Sequence, residues 1–208
     1  MNLHGAEAFL TDPCAWADPG RAAAFLAPGL QGATMQRLME SPRTAARASK
    51  LLGDRLGHGS LDALGPVDRE LALASAGSLR AVAAEAGAVW HAARVRTLLR
   101  AGEIAALAAL HGSGIRAAAL RHAALSPALD TAAGDTADSD TTAGGGLGEA
   151  ISRDGARCLA AWIATLPAWA GNRVRLKWPD DAAPPEDARL RIQAVAVVRA
   201  VATGGTAP

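Results

Sequence analysis

Three histidines, one cysteine and a trio of cations are the residues of this chain whose types and spacing could support chemistry. His91, His111 and His122 fall in a run of short predicted helices, a placement from which metal sites are built. Their spacing matches no zinc motif. His91 sits on an apolar helix face with Val95, and His122 on one with Ile115 and Ala119, so hydrogen-bonded core imidazoles are expected and no metal. His111 ends a predicted helix, where a cationic ring suits the dipole. Cys158 paired with a histidine would make a nucleophile. It lies on an apolar stripe, however, where cysteine acts as a small hydrophobe and lacks an activating cation. Gly57-His58-Gly59-Ser60 has the look of an oxyanion loop but lacks a preceding strand and a G-x-S-x-G elbow. Gly112-Ser113-Gly114 reads as a hairpin turn between helices, not a phosphate loop. No catalytic constellation emerges, and no cofactor is expected.

Arg173, Arg175 and Lys177 alternate with Val174, Leu176 and Trp178. The alternation predicts a minor extended segment over 173–178, its cations projecting from one face about 7 Å apart. Such a ridge would meet an acidic partner, pair with Asp180, Asp181, Glu186 and Asp187 in the next loop, or discourage unwanted strand pairing. These three cations are the candidate partner-binding residues.

The elements that must position them are helical. Half of the 208 residues are apolar, alanine dominates them, and only 3% are aromatic. Alanine is the best helix former and the strand-favouring residues are scarce, so an all-α fold is expected. A chain this long buries roughly 70% of its unfolded surface and needs no disulfide or metal to fold. Cys14 and Cys158 are too few and too far apart for a disulfide framework, which suggests a reducing cytoplasm. A net charge of +1 lacks the basic footprint of a nucleic-acid binder. The N-terminal residues lack the pattern of a signal peptide, and no apolar run is long enough to span a bilayer.

Along the chain, Arg21–Leu26 and Thr34–Glu40 predict short helices. Ser41-Pro42 opens another that runs to Leu56, with serine as cap, and Asp68 caps the next. Gly87 marks a break or a close helix contact ahead of a helix over Ala88–Arg100. Glu103–His111 and Ser113–Leu125 form a helical hairpin, with Ser113 capping its second arm. Leu147, Ile151, Cys158, Leu159, Trp162, Ile163 and Leu166 make an apolar stripe of helical period, ending before Pro167. Leu190 to Val201 defines a last helix. Acidic, glycine-rich residues 126–148 predict a flexible linker between a helical part over 1–125 and one over 149–208 that packs onto the same domain. The predicted core includes His91, Val95, Leu98, Cys158, Leu159, Trp162 and Leu166.

The blocks Ala86–Leu125 and Gly155–Pro179 resemble the SctK family of type III secretion systems, typified by YscK. Gly87, Val89, His91 and Val95-Arg96 match the family's helix motif. Gly155, Leu159, Trp162, Ala164, Pro167, Arg173, Leu176 and Pro179 match its downstream pattern with local shifts. The resemblance spans about Leu61–Pro179 and rests on packing motifs; residues 1–60 and the acidic segment have no counterpart. It implies a non-enzymatic cytoplasmic adaptor, peripheral to the inner-membrane secretion apparatus. Such an adaptor joins the cytoplasmic domain of the SctD-type inner-membrane ring protein to the SctQ-type pod protein, and through it SctL and the export ATPase. Two other readings stay open: an alanine-rich helical scaffold or regulator unrelated to secretion, and a small enzyme using Cys158 and a histidine.

Overall fold

The computed structural model describes residues 3–127, 143–178 and 180–204. Among the described residues the chain is all-α, with no strand. Helices run over Leu3–Thr11 (α1), Pro19–Leu26 (α2), Gly32–Glu40 (α3), Pro42–Leu56 (α4), Pro66–Leu73 (α5) and Ala76–Trp90 (α6). Ala92–Thr97 (α7), Ala101–His111 (α8), Ile115–Arg121 (α9), Ala143–Thr165 (α10), Ala168–Lys177 (α11) and Ala188–Gly204 (α12) follow. Contacts group the described residues into two units, the first drawn from Met1–Leu79 and Ile163–Asp180 and the second from Arg80–Trp162 and Asp181–Pro208.

Caps explain many of the boundaries. Asp18 accepts the backbone N–H of Arg21 at 3.0 Å, and Pro19 supplies the fixed φ of a first helical turn, so α2 starts there. Gly57 and Gly112 end α4 and α8 at φ of +82° and +96°, which favour glycine. Three expected caps differ. Ser41 precedes α4 but its hydroxyl makes no capping bond. Asp68 lies inside the first turn of α5, which begins two residues earlier at Pro66. Gly114, not Ser113, stands at the start of α9.

The first unit is built around Met35, Leu52, Leu56 and the small residues Ala22 and Ala23, with Leu176 of α11 in the same cluster. Phe9 stacks on Trp16 with ring centroids 5.3 Å apart. In the second unit Val95, Leu107, Ile115, Ala119, Leu147 and Ile151 form the core. Every residue of the predicted core is buried: His91, Val95, Leu98, Cys158, Leu159, Trp162 and Leu166.

Two expectations need correction. Residues 173–178 are not an extended segment; all but the last belong to α11, and Trp178 is its C-cap. Alternation over so short a run is ambiguous, because Ala170 and Val174 also stand four apart, and a helix packed on both sides needs no polar face. The helix expected over Ala88–Arg100 is also interrupted: α6 runs through Gly87 to Trp90, the break falls at His91 and α7 ends at Thr97, while Gly87 makes the close helix contact that was one of its two readings. Most of the acidic linker lies outside the described residues, and from Ala143 onward the chain is already α10. No described helix is long and apolar enough to cross a membrane.

Candidate functional site

In the second unit, Gly87 and Gly155 meet at the crossing of α6 and α10. A Cβ on Gly87 would stand 2.0 Å from the carbonyl oxygen of Ile151, and one on Gly155 equally close to that of Ala83. Only glycine lets the two backbones approach so far. One turn along, His91 Nε2 lies 2.9 Å from Oδ2 of buried Asp154. An ionised carboxylate only accepts, so Nε2 carries the proton and donates it. Arg157 and Arg153 reach Asp154 at 3.4 and 3.5 Å. Burial raises the Asp154 pKa, but the hydrogen bonds from His91 and Arg153 and the charges around it outweigh burial and hold it below its ordinary value. The sequence reading missed Asp154. Its signal was present: an acid between Ile151 and Cys158 on an otherwise apolar stripe requires a partner.

In the first unit, the three candidate cations divide. Arg173 is 2% exposed and donates to four carbonyls. Two belong to Phe9 and Leu10 in the last turn of α1, one to Gly57 after α4, and one to Trp169 a turn back in α11. Lys177 is 6% exposed; its Nζ donates to Ala72 O at 2.8 Å and Ala74 O at 3.2 Å, at the end of α5. Helix C-termini carry unpaired carbonyls and partial negative charge, and these two side chains satisfy both. The Lys177 ammonium also stands 4.5 Å from the Phe9 ring centroid and 5.1 Å from that of Trp16. Burial pushes its pKa down to about 8. Arg173 and Lys177 are thus internal caps and no part of a surface ridge. Arg175 alone is exposed, held to Asn172 Oδ1 at 3.2 Å. The sequence reading failed here because it placed the long basic side chains on a strand face. On a helix the four-residue step from 173 to 177 puts both on one side, facing inward.

The other candidates also find structural employment. Cys158 is fully buried, and burial, with Asp154 nearby, drives its thiol pKa up to about 12, opposite to an activated nucleophile. His111 Nε2 lies 3.2 Å from Gly148 O. His122 is the C-cap of α9; partial burial and the adjacent Arg121 lower its pKa. In the loop at 57–60, a Cβ on Gly59 would overlap the Trp169 ring, while Ser60 caps the short turn at 61–63. That loop seats an indole. Among the described residues no group of three or more His, Cys, Asp or Glu side chains is placed to hold a metal ion. A cleft of about 640 Å³ runs beside α4, its lining including Asp12, Ser49, Lys50, Asp54, His58 and Arg173. Ser49 donates there to Asp12 and accepts the backbone N–H of Cys14 at 3.1 Å, so its hydroxyl serves the fold.

Fold and site together define an all-α protein in which buried ions and glycines fix how helices meet. No family model, no curated protein and no solved structure matches the chain.

Proposed function

We propose that this chain is a non-enzymatic cytoplasmic adaptor of a type III secretion sorting platform. It joins the cytoplasmic domain of an SctD-type ring protein to an SctQ-type pod protein. The observation that carries the reading is where the motif residues fall. Gly87, His91, Val95, Gly155, Leu159 and Trp162, which carry the resemblance to the SctK family, are packing residues around one helix crossing or its core. Arg173, a further motif residue, closes helix ends. A motif made of packing devices specifies a rigid helical body, which is what a strut between two partners requires. The burial of Cys158 gives the enzyme reading no support.

The test is a pull-down of the tagged full chain against purified SctQ and, separately, the SctD cytoplasmic domain encoded by the same genome. The adaptor reading predicts retention of both, weakened by salt where charged rims contribute. A well-folded chain that retains neither contradicts it.

A further inference from the structure

Helix α8 lacks the polar face that a surface helix needs. Its inward side places Leu107 in the core, with Ile104 packed against it. Its exposed positions are Ala101, Gly102, Ala105, Ala106, Ala109 and Leu110, with no polar side chain among them. Leu110 is 63% exposed, and Leu99, in the link that leads into the helix, is 85% exposed. Surface helices normally turn charged residues outward, and a continuous exposed apolar strip marks a place where something binds.

The chain around this strip is basic. Arg94, Arg96 and Arg100 are exposed, and no described ion pair or hydrogen bond engages their guanidinium groups. Arg100 occupies the N-cap of α8, the helix end that disfavours a cation. Residues 92–121 carry five arginines (94, 96, 100, 116 and 121) against Glu103 alone, a balance of +4 in a chain of net charge +1.

We propose that Leu99, Gly102, Ala106 and Leu110, with the exposed Arg94, Arg96 and Arg100 close by in the chain, form a docking surface for an acidic amphipathic helix of a partner protein. Gly102, Ala106 and Leu110 recur every fourth residue and so share one side of α8. Small side chains let a second helix approach closely, the leucines at either end supply anchors, and the arginines pair with carboxylates along its rim. A second copy of this chain fits badly, since a two-fold contact would set arginine against arginine. A lipid surface is also a poorer match. Insertion gains with every methylene buried, and a strip of alanine methyls has few to insert. This assignment deepens the adaptor reading, on which it rests, by naming the face that holds one partner.

The isotope-labelled full chain is titrated with a synthetic amphipathic helix bearing leucines on one face and glutamates on the other. A lysine-faced counterpart and phosphatidylglycerol vesicles are run beside it. Resonances of residues 99–110 should shift with the glutamate helix. Binding should weaken about tenfold or more in R94E/R96E/R100E and in A106R, whose substitutions fall at exposed positions. The proposal is overturned by absent binding, by equal binding of the lysine helix, or by unchanged affinity in A106R. Binding to vesicles alone, or self-association that A106R abolishes, overturns it in favour of those occupants. The titration uses no secretion protein, so its failure strikes the docking face alone, and failure of the pull-down strikes the adaptor reading.

Discussion

Gly87 and Gly155 meet across the crossing of α6 and α10, each so close to the opposite helix that a methyl group would overlap its backbone. A helix carbonyl cannot move aside as a flexible side chain can. Gly87→Ala and Gly155→Ala should therefore each cost about 3 kcal/mol or more, at the upper end of overpacking effects. Gly53, inside α4, has open space around it. There the same substitution should stabilise by about 0.5–1 kcal/mol, the usual helix preference for alanine over glycine. Urea unfolding of the three variants reads both signs, and a mild effect at Gly87 and Gly155 would contradict the tight crossing.

Asp154 makes the same crossing sensitive to acid. Its folded pKa lies below the unfolded value, so its contribution is complete above about pH 4 and is lost as pH falls through the folded value. The urea midpoint of the parent should fall between about pH 5 and pH 3 more steeply than that of Asp154→Asn. Asp154→Ala should cost about 1–3 kcal/mol at neutral pH, because it leaves the buried His91 N–H without its acceptor. Parallel pH profiles for parent and Asp154→Asn would remove Asp154 from the account.

The internal caps yield a sharp contrast along α11. Arg173→Ala leaves helix-end carbonyls of α1 and α4 unpaired and should cost about 3 kcal/mol or more. Arg175→Ala, two residues away and exposed, should stay within about 0.5 kcal/mol. Thermal melts of both variants check this. Charge reversal at 173 or 177 would unfold the protein before it tested any interface, so binding experiments on this helix belong at Arg175.

Lys177 should reveal itself at alkaline pH. Its folded pKa of about 8 lies below the unfolded lysine value, so the unfolded chain binds more protons between them. Stability should therefore rise with pH through that window, by about 1–3 kcal/mol, since the aromatic rings and carbonyls retain part of the charged form. The chain has no tyrosine and only one other lysine, Lys50, which leaves the window unusually clear. The two thiols, raised by burial, act in the opposite sense above about pH 9, so the comparison is with Lys177→Met at each pH. A parent-minus-variant difference that stays flat from about pH 7.5 to 10 would contradict a buried Lys177 amine whose pKa burial has lowered.

Where the sequence was legible, it was through long-period patterns. The stripe from Leu147 to Leu166 spans several turns, enough to fix helix, buried face and end, and its residues are buried as that pattern requires. Gly87 also pointed to a break or a close helix contact, and the close contact is what it makes. Local patterns failed where tertiary packing overrode them. Arg173 and Lys177 read as surface because their charge seldom goes inside; three helix ends supply the carbonyls that make it possible, and no local pattern shows which ends will meet. Asp154 stands in the sequence as an acid on an apolar stripe, and its partner His91 lies 63 residues away, where no local pattern connects the two. The bare outer face of α8 was hidden by the alanine content of the whole chain.

The proposed adaptor holds two partners at once, which three-component gel filtration with light scattering can show. SctQ and the SctD cytoplasmic domain from the same genome are run with and without this protein. The account predicts that the two partners elute together only when it is present, with a mass containing all three. Separate elution of SctQ and SctD in the presence of folded protein, or co-elution that does not need it, would contradict the claim.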